Sequence, residues 1–142
     1  MVKLVVFETD SKEEDLFFGL VSRGRWDLPY YFSVSNYDWK SGIVLFTMLC
    51  CSPSPTMKVG IAGNLIITSG KNVGELKTWL GDWGIKFKQK IEKDFSSPEE
   101  AQIFHKELRE KFPKKERQEA GERVEKRIQV FFSTIDKDFL AM

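Results

Sequence analysis

The chain has 142 residues, 42% of them hydrophobic and 30% charged, with a formal net charge of +1. That length supports one domain, residues 1–142, with a core that needs no disulfide or metal. The composition excludes a disordered polyelectrolyte, and the near-neutral balance argues against the basic footprint of a nucleic-acid domain.

Val2 to Glu8 carries β-branched and aromatic residues without a breaker and reads as a strand. Ser11-Lys12-Glu13-Glu14 fits a capping box, and Leu16, Phe17, Leu20 and Val21 follow at helical spacing. Together they predict a short helix over 12–21. Ser22 to Leu28 reads as a loop holding Arg23, Arg25 and Trp26, and Pro29 to Ser35 as a strand opened by proline. Asn36 to Gly42 is rich in turn residues. The apolar run Ile43 to Cys51 has the look of a central strand covered on both faces, and Ser52-Pro53-Ser54-Pro55 ends it. Met57 to Thr68 resumes strand character around Gly63-Asn64, a tight hairpin turn by composition.

The second half changes character. Residues 1–70 hold 6 basic and 7 acidic groups, against 16 and 14 in residues 71–142. Val73, Leu76, Leu80, Trp83, Phe87 and Ile91 follow steps of three and four, which favours one bent helix from residue 73 to 91. The rival reading ends that helix at Gly84 and makes Ile85 to Ile91 an edge strand guarded by lysines. Ser97-Pro98-Glu99-Glu100 joins a capping box to proline at the first helical position, and the helix it opens stops at Pro113. A last helix buries Ala120, Val124, Ile128, Phe131, Ile135 and Phe139, with Glu119–Arg123 and Glu122–Lys126 as solubilising pairs outside.

The sum is an α+β fold, sheet-rich over 1–70 and helix-rich over 71–142. Three to five mostly antiparallel strands, residues 2–68, carry two or three C-terminal helices on one face. A central meander feeding a long helix resembles longin- and roadblock-like adaptor domains in its order of elements.

No residue set specifies a reaction, so catalytic residues, metal and cofactor are all expected to be none. The adjacent Cys50 and Cys51 have neither zinc-ligand nor disulfide spacing. The single histidine, His105, reads as a solvated residue on a helix, and Glu99 and Glu100 serve the helix dipole. Gly70-Lys71 lacks the phosphate-loop pattern, and Gly60 to Gly63 the dinucleotide one. Lys86, Lys88, Lys90 and Lys93 read as a solvated helical face.

Two features invite contact. Arg23, Arg25, Trp26, Tyr30, Tyr37, Trp39 and Lys40 combine the residue types that dominate binding hot spots, although such rings also close cores. Phe131, Phe132, Ile135 and Phe139 widen the apolar face of the last helix into a possible oligomer face. The expected protein is therefore a non-enzymatic interaction or regulatory module, self-associating or bound to a protein partner. The alternatives are nucleic-acid binding through Arg23, Arg25, Trp26, Tyr30 and Lys40, and small-molecule binding in a pocket closed by the last helix. Leu4 to Phe7 is too brief for a signal-peptide core and no run approaches a membrane span, so the expected location is cytoplasmic.

Overall fold

The computed structural model describes residues 2–26, 32–48 and 56–141, with side chains described for 2–22, 36–46 and 57–133. Tyr30, Cys50, Cys51 and the Ser52–Pro55 breaker lie outside the described residues. So do the side chains of Arg23, Arg25, Trp26, Ile135 and Phe139.

The fold is α+β, with one antiparallel sheet of six strands and four helices. In chain order the elements are β1 (Val2–Thr9), α1 (Glu13–Trp26), β2 (Phe32–Asp38), β3 (Ile43–Met48), β4 (Thr56–Ala62) and β5 (Leu65–Ser69). A single 3-10 turn leads into α2 (Val73–Asp82), and β6 (Phe87–Phe95), α3 (Pro98–Glu110) and α4 (Lys114–Ala141) complete the chain. The sheet order is β2-β3-β4-β5-β1-β6, so β1 is inserted between β5 and the last strand. Among the described residues, no helix is long and apolar enough to cross a membrane.

The sheet outgrows the expected three to five strands because residues 85–91 are not helical. The helix ends at Asp82, Gly84 adopts φ +73°, and the chain returns as β6 on the free edge of β1. A left-handed glycine just past a helix is a stop signal, and here it prevails over a 3.6-residue stripe running through both segments. The alternation IKFKQKI belongs to an edge strand. Its lysines face solvent or pair across the ladder, Lys90 Nζ lying 2.9 Å and Lys88 Nζ 3.7 Å from the Glu8 carboxylate. Lys93 lies over the Phe95 and Phe104 rings at 5.4 and 5.5 Å. The expectation of a solvated helical face is thereby corrected to a charge-guarded edge.

Helices cover both faces of the sheet, not one. On the first face Val5, Phe7, Val44, Phe46, Val59, Ile61 and Ile66 meet Leu16, Phe17, Leu20 and Val21 of α1 and Leu76, Trp79 and Leu80 of α2. Ala120, Val124 and Ile128 of α4 join the same core, with α4 packed mainly on α1. On the second face, Val6, Ala62, Leu65 and Ile67 meet Leu108 of α3, flanked by Phe104 and Phe112. α3 lies mainly over β4, β1 and β6 there, and Ile43 and Leu45 of β3 remain half-buried. Strand β3 is interior in order, yet among the described residues its second face is less covered than the unbroken apolar run implied.

Local signals place most boundaries. Ser97 Oγ accepts from the Glu100 N–H at 3.3 Å, while Glu100 Oε2 accepts from Ser96 Oγ at 2.7 Å and Ser96 N at 3.1 Å. The capping box thus reaches one residue further back than its sequence form. Gly63, at φ +60°, opens the two-residue turn that joins Ala62 to Leu65, as the hairpin reading required. α1 runs five residues past its expected end, which puts the backbone of Arg23, Arg25 and Trp26 on a helix instead of a loop.

Candidate functional site

Three of the seven predicted patch residues converge beside α4. Trp39 and Lys40 form the turn after β2, Tyr37 sits near the strand's end, and the first half of α4 runs alongside. Between them lies an open cleft of about 790 Å³. Tyr37, Trp39 and Lys40 form one wall, and Lys114, Arg117, Gln118, Gly121, Glu122 and Glu125 the other.

Asp38 builds the turn. Its carboxylate accepts from the Lys40 N–H at 3.1 Å and the Ser41 hydroxyl at 2.8 Å, an Asx arrangement that folds the chain back towards Gly42. Gly42 has φ +70° and its N–H donates to the Asp38 carbonyl at 2.9 Å. A side chain there would be strained and would overlap the Arg109 guanidinium.

Trp39 is 8% exposed, so its ring belongs to the core. It meets Phe17 edge-on at 5.2 Å, lies 5.5 Å from the Arg109 guanidinium carbon, and its Nε1–H donates to the Arg117 carbonyl at 3.0 Å. Gly121 lets α4 approach it, because a Cβ there would stand 3.3 Å from the indole edge. Tyr37 packs edge-on against Phe17 at 6.0 Å. Burial, and then the charge of Glu125, raise the pKa of its hydroxyl. Lys114 is exposed at one end of the cleft and Glu122 and Glu125 at the other, and Lys40 is exposed as well.

Beneath the cleft sits a buried ionic network that sequence reasoning missed. Glu13 Oε2 lies 3.2 Å from Arg109 Nη1, and Arg117 Nε reaches Glu13 Oε1 at 2.6 Å. The Gly63 N–H also donates to the Glu13 carboxylate. Arg109 is 5% exposed and donates to three carbonyls: Ile61 at 2.9 Å, Lys40 at 3.3 Å, and Trp39. Desolvation pulls its guanidinium down to about 10, against the Glu13 carboxylate, and leaves it charged at neutral pH. The network ties α1, α3 and α4 to the turn and the β4–β5 hairpin. Two weak signals stood in the sequence. Arg109 falls on the Ala101–His105 stripe of α3, and the acidic run Glu13-Glu14-Asp15 faces a chain carrying Arg117, Arg123 and Arg127.

That second set is a ladder between helices. Arg123 Nη2 lies 3.2 Å from Glu14 Oε2, and Arg127 Nη1 lies 3.0 Å from Asp15 Oδ1. Arg123 thus serves α1 instead of pairing with the Glu119 carboxylate as expected, although it also donates to the Glu119 carbonyl. Such exposed pairs contribute little individually, so the ladder orients α4 more than it stabilises it.

His105 departs from expectation as well. It is 8% exposed, and its Nε2 lies 3.3 Å from the Ile61 carbonyl, against Gly60. Burial, chiefly, lowers its pKa, which favours a neutral ring. Its solvated reading is corrected: it is a packing residue under α3. Phe131 and Phe132 are half-buried. Phe131 meets Phe18 edge-on at 6.0 Å, and Phe132 packs against the main core. Among the described residues, no group of three or more His, Cys, Asp or Glu could hold a metal ion. No protein-family model, curated protein or solved structure matches the chain, and the likeness to adaptor domains expected from the sequence finds no support there.

Proposed function

We propose that the chain is a protein-interaction module, without catalysis of its own, that associates with a second copy through the turn after β2 and the outward side of α4. The observation that carries this reading is the cleft itself. One wall carries the exposed edge of a Trp39 ring held by Phe17, Arg109 and the Arg117 carbonyl, and its rim is charged. A rigid aromatic anchor with a polar rim is the pattern of an interface hot spot, since little side-chain entropy remains to be lost on contact. Two buried or partly buried acid–base groups are otherwise engaged: His105 on a carbonyl, Glu13 on two arginines.

The test is light scattering across a protein concentration series. The expected result is a dimer that dissociates on dilution and on raising salt, because rim charges are screened. A monomer throughout the series refutes the reading.

The cleft volume of about 790 Å³ also lies within the range of small-molecule pockets, which favours a ligand-binding module as the second reading. A thermal-shift screen against small amphipathic ligands tests it, and the absence of any stabilising compound counts against it. Nucleic-acid binding draws less support, since Lys40 and Lys114 share their cleft with two glutamates.

A further inference from the structure

Along α4, Lys114, Arg117, Gln118, Gly121, Glu122 and Glu125 line the cleft at steps of three, one, three, one and three. That spacing keeps all six on one side of a helix, over about 16 Å of its length. The stripe is graded: two cations lead it, Gln118 and Gly121 occupy its middle, and two carboxylates close it. Lys40 adds a third cation to the cleft from the neighbouring turn.

Such a stripe is complementary to itself in reverse. A twofold axis crossing α4 between Gln118 and Gly121 sets Lys114 against Glu125 of a second copy, Arg117 against Glu122, and Gln118 over Gly121, and repeats each contact by symmetry. A parallel arrangement instead opposes like charges at both ends. Arg117 already serves Glu13, so the weight of the complementarity falls on the exposed Lys114 and Glu125.

From this charge pattern we infer that two copies pair antiparallel along the first half of α4, with Lys114 of each against Glu125 of the other. The inference rests on the self-association proposed above and adds its geometry. It moves the dimer contact away from Phe131 and Phe132, which are spent on Phe18 and the main core.

Charge swapping tests it on the full chain. Lys114→Glu and Glu125→Lys each place like charges at both symmetric contacts, and each should raise the dimer dissociation constant roughly tenfold or more. Far-UV circular dichroism and melting temperature should stay at wild-type values, because both side chains are exposed. An equimolar mixture of the two variants should dimerise as wild type does, since opposite charges then meet at both contacts. The double variant should also recover dimerisation. A wild-type dimer unaffected by either substitution overturns this geometry while self-association stands. Loss in the single variants without rescue in the mixture overturns the antiparallel register. A wild type that is monomeric throughout overturns both the geometry and the reading beneath it.

Discussion

Beneath α1 and α2 the sheet presents Val5, Phe7, Val44, Phe46 and Ile61, and the helices answer with Leu16, Phe17, Leu76 and Trp79. Beneath α3 it presents Gly60, Ala62 and Gly63, and the helix answers with His105, Leu108 and Arg109, joined by Phe112 from the turn that follows. The first face is filled by large apolar side chains from both sides. The second is built by removing side chains from the sheet so that large, partly polar ones can lie against its backbone. Polar groups tolerate burial there because the Ile61, Lys40 and Trp39 carbonyls sit within hydrogen-bonding reach. Stability on the first face therefore comes from area removed from water, and on the second from a smaller apolar cluster around Val6, Ile67 and Leu108 joined by a few directional bonds. The two should fail differently.

Truncation on either face should cost most. Phe17→Ala leaves a cavity at the centre of the first core and should lower unfolding free energy by about 3–5 kcal/mol in urea titration. Arg109→Ala strips donors from three carbonyls and one of the two arginine partners from Glu13, and should cost a similar ~3–5 kcal/mol. The contrast would collapse if Arg109→Ala proved nearly neutral, since the second face would then be held by Leu108 and its neighbours alone.

Adding a side chain where a glycine of the second face makes room for a ring should come next. Gly63→Ala forces an alanine to φ +60° against the Phe112 ring and should destabilise by roughly 1–3 kcal/mol. Proton linkage should also single out that face. The folded state holds His105 below its ordinary pKa, so the unfolded chain binds the extra proton first as the solution is acidified. Stability should decline once the pH falls below about 6.5, by at most about 1.4 kcal/mol per pH unit. His105→Gln should remove that part of the pH profile, and an unchanged profile would assign the decline to other groups. The smallest effect should come from the first face. Gly19 has open space around it in α1, and Gly19→Ala should stabilise by about 0.5–1 kcal/mol.

Elements with their own punctuation were legible in the chain. The Ser97-Pro98-Glu99-Glu100 start, the Pro113 stop, the Gly63-Asn64 turn and the β1 strand all stand where short-range rules put them. Each is specified by contacts within a few residues, and such contacts are written in consecutive letters. Residues 85–91 show the limit. A helical stripe and a strand alternation coexist in IKFKQKI, and the free edge of β1 decided between them by offering a ladder that a helix could not use. The candidate site was half visible. Tyr37, Trp39 and Lys40 were found by residue type, but their opposite wall on α4 was not, because 74 residues separate Lys40 from Lys114.

What the sequence determined by itself is the α+β class, the starts of the first three helices and the Pro113 stop, because propensity and capping act locally. Only the tertiary structure decided which face each helix covers, that His105 and Arg109 are buried, and that Glu13 holds two arginines 96 and 104 residues away. Those outcomes follow from which backbone carbonyls and empty glycine positions come to lie opposite a side chain once the sheet is assembled. No local pattern encodes that placement, since the groups concerned have no relation to one another until the strands pair.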